Sequence, residues 1–356
     1  MRITFLMPSD TLTGGTRVVA VYARKLLERG HDVLVVNCAP DRYGIRQRTK
    51  AMLKGQWDEA VRRAEVGHIA LSGVPQKVLE RIRPIEAKDV PDADVIIATW
   101  WETADWMGTM PSSKGRKVHL IQGYETWGDP KAEEQVHHAL RLQNLKIAIS
   151  SGLRQTIEER LGNLGIHVVP NGVDLNHFDS PPRARQEVPT VGFIYAAARF
   201  KGADICAAAC ERARREIPNL RVEAFGVDLP SAGLPLPAET SYFHRPPQEV
   251  IRDIYSRCDA WLFGSRLDSF GLPILEAMAC RTPVIGVPVG AATELLGDGT
   301  GTLVPAESPE EMARAIVDIC RLPDSEWRRR SEQAYSKAQS YSWDDAVARL
   351  LYLLES

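Results

Sequence analysis

Long apolar runs are missing from this 356-residue chain: none approaches the roughly 20 residues a membrane-spanning helix needs, so no such helix is expected. Met1 to Pro8 reads as a short strand that meets a loop without a cleavage-site pattern, so no signal peptide is expected either. Cysteine is scarce. The six residues Cys38, Cys206, Cys210, Cys258, Cys280 and Cys320 lie scattered in apolar segments, with no C-x-x-C pair and no histidine cluster at zinc spacing. They read as small buried hydrophobes of a reducing, cytoplasmic compartment. A charge excess of one sign is also absent: 44 Lys and Arg stand against 46 Asp and Glu, a formal net charge of -2, which gives no reason to expect nucleic acid as a partner. Several catalytic signatures are missing as well, including the Walker A lysine loop, H-E-x-x-H and G-x-S-x-G. Gly14-Gly15 follows a strand and precedes a helix, yet Arg17 and Val18 stand where a dinucleotide fingerprint needs its later glycines. Asp92 and Asp94 invite a metal reading, but they stand at a strand entrance and read better as solvated carboxylates.

What is present is a globular composition, 44% hydrophobic and 25% charged, arranged in an α/β rhythm. Ile3 to Met7 predicts a strand, Val18 to Arg29 a helix and His31 to Cys38 a second strand, a βαβ unit that implies a parallel sheet. Further strands are expected at Val95 to Thr99, Val118 to Ile121 and Lys146 to Ile149. A linker-like run from Asp179 to Pro189 follows, and the pattern then restarts. Strands are expected at Val191 to Tyr195, Arg221 to Phe225, Trp261 to Phe263 and Val284 to Val287, with a helix from Asp204 to Glu216. Two doubly wound domains result. Open sheets of this kind bind ligands beyond the carboxyl ends of their strands.

The most informative stretch begins at Ser265, where a strand ends. A turn carries Asp268 to Gly271, and Pro273 sits in the first turn of a helix, where its missing N–H costs nothing. The free N–H groups of that helix start favour an anion such as a diphosphate. Glu276 lies close enough to the helix mouth to accept hydrogen bonds from a ligand's hydroxyls.

Asp268 to Glu276 resembles the E-x7-E signature of the family 4 retaining glycosyltransferases, which have the GT-B fold: two Rossmann-like domains facing a cleft. The likeness spans nearly the whole chain. It includes the Gly14-Gly15 loop, Val169 to Asp174, Phe270-Gly271-Leu272-Pro273, Gly290 to Glu294 and Gly299 to Pro305. It implies an acceptor-side domain over residues 1–178, a nucleotide-sugar donor domain over 185–340, and a last helix over 341–356 crossing back to the first domain. The implied reaction is transfer of a sugar from a nucleoside diphosphate donor to a hydroxyl acceptor with retention of configuration. The leaving phosphate would deprotonate the acceptor, and neither metal nor cofactor would be needed. Closure about a hinge near Asn171-Gly172 would assemble the site.

By position, the resemblance gives Glu276 the ribose hydroxyls. Asp268 and the backbone of Phe270, Gly271 and Leu272 would hold the donor sugar, with Gly15 also on the donor. Lys201 matches the lysine of the family's phosphate clamp. Ala196 stands near the place of its arginine, so Arg199 or Arg266 would have to supply that charge. The histidine that family members often carry after the strand ending at Ile121 is absent, which leaves Gln122, Tyr124 and Glu125 as sugar or acceptor contacts. His119 reads as a core residue.

Trp100, Trp101, Trp106 and Trp127 cluster in loops of the first domain, where aromatic faces suit either a sugar or a core. Arg42 to Arg63 carries seven basic residues against two acidic ones, with Ile45, Met52, Leu53, Trp57 and Val61 on one helical face. Such a helix suits packing on its own sheet with a solvated basic face, or peripheral contact with an anionic membrane or a phosphorylated lipid acceptor. Two rival readings use the same architecture: a nucleotide-sugar epimerase or phosphorylase, and a non-catalytic donor-binding subunit.

Overall fold

The computed structural model describes residues 1–39, 66–126 and 130–356. It divides into two compact units. Met1–Ala148, Ile157–Val169 and Val347–Ser356 form unit 1; Ile149–Thr156 and Pro170–Ala346 form unit 2. The division thus falls at residue 170 rather than 178, because the loop from Pro170 onward makes its contacts with unit 2. Val173 N–H, for example, donates to the Tyr341 carbonyl at 2.8 Å.

Unit 1 holds β1 (Arg2–Ser9), α1 (Gly14–Glu28), β2 (Asp32–Cys38), α2 (His68–Ser72), β3 (Gln76–Val78), β4 (Val95–Ala98), α3 (Trp101–Gly108), β5 (Arg116–Ile121), α4 (Pro130–Arg141), β6 (Leu145–Ala148), α5 (Ser151–Leu161), whose first residues belong to unit 2, and β7 (His167–Val168). The strands form one parallel sheet in the order β3-β2-β1-β4-β5-β6-β7, with Ile3 beside both Val33 and Val95. Near-continuous apolar strands are what a sheet covered on both faces requires. Ile3, Phe5, Leu6, Val35, Val36, Ile96 and Ile97 are accordingly buried. On α1, Val18, Val19, Tyr22, Ala23 and Leu26 recur at helical spacing and form its buried face. The helix ends with bonds from Gly30 N–H to the Leu27 carbonyl and from His31 N–H to that of Leu26, which satisfy its last acceptors. Trp101 and Trp106, left open between sugar and core, pack against the core formed by Leu6, Val36, Ile96, Ala104 and Met107.

Unit 2 continues with β8 (Thr190–Ile194), α6 (Ala203–Ala213), β9 (Arg221–Gly226), β10 (Ser241–His244), α7 (Gln248–Ser256), β11 (Ala260–Phe263), α8 (Leu272–Ala279), β12 (Val284–Gly286), α9 (Ala292–Leu296), β13 (Thr302–Leu303), α10 (Pro309–Arg321), α11 (Asp324–Gln339) and α12 (Trp343–Glu355), whose last residues belong to unit 1. Its parallel sheet runs β10-β9-β8-β11-β12-β13. Edge-to-face rings fill its core, with Tyr255 and Trp261 centroids 4.5 Å apart and Tyr255 and Phe225 5.7 Å apart. The six cysteines are buried, and burial pushes the Cys206 and Cys320 thiols up to about 12, as inert core residues require.

In both sheets the strand order reverses beside the first strand of the unit: between β1 and β4, and between β8 and β11. At such a switch point the flanking loops part in opposite directions and leave a crevice at the carboxyl ends. The residues singled out by sequence lie largely there. The basic segment from Arg42 to Arg63 and Trp127 lie outside the described residues.

Candidate active site

At the unit 2 switch point, the loops after β8 and β11 run in van der Waals contact. Gly202 makes this approach possible: its φ is +67°, and a Cβ there would overlap the Gly264 carbonyl oxygen. The contact sets Lys201, on one loop, against Asp268, on the other. Lys201 Nζ donates to Asp268 Oδ2 at 2.8 Å, while Asp268 Oδ1 accepts from Phe270 N–H at 3.2 Å. Both carboxylate oxygens are thus engaged. The Lys201 side chain keeps 40% of its exposure against 15% for Asp268, so the ammonium remains open to a further anion.

Gly271 then turns the chain with φ +89°, and α8 begins with Pro273 in its first turn. Its N-cap makes no side-chain bond and its first turn holds no acidic residue, so the positive end of the helix is left unopposed. Glu276 follows in the second turn and is 7% exposed; the Tyr255 hydroxyl of α7 donates to its Oε2 at 3.0 Å.

The two arginines weighed for the clamp have different fates. Arg266 grips both Asp204 oxygens, at 2.8 Å each, pairs with Glu307 and donates to the Arg199 carbonyl at 2.7 Å. Its guanidinium braces the loop. Arg199 has an exposed position in the same turn as Lys201.

In unit 1, Gly15 opens α1, and a Cβ there would stand 3.6 Å from Gln122 Oε1, the next strand end but one. That oxygen is buried and has no hydrogen-bond partner among the described residues. Thr11, Thr13 and Thr16 place three hydroxyls at the α1 entrance, 2.9 to 3.2 Å from one another. Trp100 precedes α3, and Trp101 N–H donates to Glu125 Oε2 at 3.0 Å. Glu125 is only 5% exposed. Burial, together with the nearby Glu102 charge, pushes its carboxyl up to about 8, although the Trp101 bond acts the other way. Tyr124 turns to a separate cluster: its hydroxyl lies 2.5 Å from His137 Nε2 and 3.2 Å from Glu133 Oε1, with the Arg160 guanidinium 5.0 Å from its ring centroid.

The structure therefore brings Lys201, Asp268, Phe270, Gly271, Leu272 and Glu276 into one stretch of unit 2. Gly15 meets Gln122, and Trp101 meets Glu125, in unit 1. Sequence reasoning missed Tyr255, the partner of Glu276, and the His137, Glu133 and Arg160 surroundings of Tyr124. No local pattern carries such pairings, which join α7 to α8 in one case and the loop after β5 to α4 and α5 in the other. Among the described residues, no three His, Cys, Asp or Glu side chains gather as metal ligands would.

Two parallel sheets of Rossmann type are the architecture of the GT-B glycosyltransferases, and this chain shares that fold. The glycosyltransferase family 4 model matches residues 12–177, and the glycosyl transferases group 1 model matches residues 177–337. The chain belongs to the glycosyltransferases that these two models describe. It is similar to the D-inositol 3-phosphate glycosyltransferase of Segniliparus rotundus, 30% identical over 207 residues, 52% of this chain and 46% of the relative. The chain thus spans about half the length of the curated relatives it matches. Among solved structures it is similar to Anabaena HepE in complex with UDP (TM-score 0.75, 17% identity, all of both chains). It is also similar to sucrose-phosphate synthase from Thermosynechococcus elongatus (TM-score 0.71, 16% identity, 100% of this chain and 98% of that one).

Proposed function

We propose that the protein transfers a sugar from a nucleoside diphosphate sugar to a hydroxyl acceptor with retention of anomeric configuration. The observation that carries this reading is the Lys201–Asp268 ion pair at the unit 2 switch point, next to the uncapped start of α8 and the buried Glu276. A nucleotide sugar needs those three features: positive charge for the diphosphate, and carboxylates for the hydroxyls of sugar and ribose. Structures of Anabaena HepE with UDP and with UDP-glucose support this class of donor.

In this reading Glu276 accepts the ribose hydroxyls. Asp268 and the backbone from Phe270 to Leu272 hold the donor sugar, and Lys201 with Arg199 meets the diphosphate. Arg199 is preferred to Arg266 because Arg266 already faces two carboxylates. Gly15, Gln122, Glu125, Tyr124 and the Trp100-Trp101 turn belong to the acceptor-side unit. In the reaction, the anomeric carbon–oxygen bond to the diphosphate breaks, and the acceptor oxygen bonds to that carbon on the same face. The departing phosphate oxygen takes the acceptor's proton. The charge that develops is on the leaving diphosphate, so the cations beside it lower the barrier most.

Thermal-shift screening with UDP, GDP, ADP, dTDP and CDP identifies the base, because a nucleotide that binds the folded state raises the melting temperature. The matching sugar nucleotides are then offered with acceptors that include D-inositol 3-phosphate, chosen for the names of the curated relatives. A glycoside with the donor's anomeric configuration by NMR supports the reading; an inverted product, free epimer or sugar phosphate refutes it. Peripheral contact of the basic segment with an anionic membrane is tested by liposome flotation. Absence of binding at low salt ends that idea.

A further inference from the structure

The loop from Asp268 to Gly271 is held by residues far from it in sequence. The Ser150 hydroxyl donates to the Ser269 carbonyl at 2.7 Å. Gly290, with φ +63°, leaves room for the Asp268 carbonyl 2.7 Å from where its Cβ would be, and Ala291 N–H donates to the Phe270 carbonyl at 3.3 Å. Gly152 in turn lies against the Gly290 carbonyl, with no space for a Cβ. The loop thus rests between residues 150–152 on one side and 290–291 on the other, all within unit 2.

Glu294, one turn further along in α9, closes this arrangement. Its Oε2 accepts from the Ser151 hydroxyl at 2.6 Å and its Oε1 from the Tyr341 hydroxyl at 2.6 Å. Those lengths are typical of hydroxyls on a carboxylate. The Tyr341 ring lies against Phe270, centroids 6.4 Å apart and nearly edge-on. A closed circuit results: Phe270 to Tyr341 to Glu294 to Ser151, then Ser150 back to Ser269. One carboxylate fixes the two segments that hold the loop from either end.

We propose that Glu294 is a positioning residue for the sugar-holding loop: by clamping Ser151 and Tyr341 together it fixes the backbone of Ser269 and Phe270 for the donor sugar. The inference rests on the proposed assignment of that loop to the donor sugar. Without the clamp, the loop keeps its bonds to Ser150 and Ala291 but loses the restraint on both supports. Binding of the sugar moiety should suffer, while the nucleotide, held elsewhere, should not.

The test compares wild type, Glu294→Leu, Glu294→Gln and Tyr341→Phe in two measurements. Hydrogen exchange without ligand reads the loop itself. Residues 268–272 and 288–292 should exchange about tenfold faster in Glu294→Leu, as loss of charge-assisted bonds implies, and the rest of unit 2 at the wild-type rate. Calorimetric titration with UDP and UDP-glucose should then give an unchanged UDP dissociation constant and a UDP-glucose constant about tenfold weaker. Glu294→Gln, whose amide can accept one hydroxyl bond and donate the other, should recover most of both effects; Tyr341→Phe, a smaller change, should produce part of them if the leucine variant fails to fold. Unchanged loop exchange in folded Glu294→Leu and Tyr341→Phe overturns the proposal, as does an equal loss for UDP and UDP-glucose. If wild-type protein binds neither ligand although the loop loosens as expected, UDP-glucose is excluded as the donor, and the same pair of titrations with GDP, ADP, dTDP or CDP and its glucose conjugate decides; binding of none of them ends the donor assignment and leaves the clamp standing.

Discussion

Lys201 and Asp268 face each other half in water, and an ion pair in that setting adds little to stability, on the order of 0–1 kcal/mol. Under the proposed function its value lies in the reaction. Lys201→Met should leave the melting temperature within a few degrees of wild type and lower turnover about a hundredfold, the usual loss when one preorganised donor to developing charge is removed. Steady-state rates on the folded variant check this, and unaltered turnover contradicts it. Two buried groups in unit 1 contribute opposite slopes to the pH dependence of stability. His119, 2% exposed beside Lys146, is held down to about 3 by burial and then by that charge, whereas an unfolded histidine takes its proton near 6.5. The unfolded chain therefore binds more protons between those values, and stability falls as pH drops from 6.5 toward 3. Glu125 acts in the opposite sense. Unfolded, it loses its proton near 4.5; folded, it keeps it to about 8, so stability falls as pH rises through that window. Glu125→Gln should remove the second slope and gain a few kcal/mol on wild type between pH 5 and pH 8, measured by urea unfolding at both. The burial of His119 was legible because it stands inside an apolar strand. That of Glu125 was not, since it follows from Trp101 and Glu102 in the first turn of α3, which comes after a different strand.

Among the elements, the central strands could be read because parallel strands covered on both faces are continuous apolar runs, as in Ile3 to Met7 and Trp261 to Phe263. The edge strands could not. β3, β7 and β13 have two or three residues each, too short for any period to register, and exist because a longer neighbour offers them a ladder. The turn chemistry of the site was clearer: Gly271 and Pro273 announce the start of α8, and Gly202 the tight turn into α6. Gly202→Ala combines a left-handed backbone with a Cβ inside the Gly264 carbonyl, so about 2–4 kcal/mol should be lost. Calorimetry should show unit 2 melting roughly 5 °C lower or more, with the Lys201–Asp268 geometry disturbed; a variant as stable as wild type contradicts the packing described.

For the whole molecule, the sequence conveyed two α/β units and the polar residues at their strand ends. The family resemblance also implied a last helix crossing back to the first domain, whereas the membership of residues 149–156 in unit 2 had to come from the structure. Val347, Leu350 and Leu354 of the last helix are buried, and the Arg116 guanidinium donates to the Leu353 and Leu354 carbonyls at 3.1 Å, all within unit 1. Each of those side chains is worth about 1.5–3 kcal/mol when buried, against a net domain stability of about 5–15. Ending the chain at Ala346 should therefore make unit 1 sensitive to limited proteolysis while residues 170–346 persist; equal resistance of both units contradicts the assignment of the helix. The larger claim is that the switch point of unit 2 holds a nucleoside diphosphate through Glu276. It is tested most directly by titration calorimetry of wild type and Glu276→Ala with the nucleotide that most raises the melting temperature. Loss of charge-assisted bonds to the ribose should weaken binding about tenfold or more. A folded Glu276→Ala variant that binds with the wild-type dissociation constant would contradict the account.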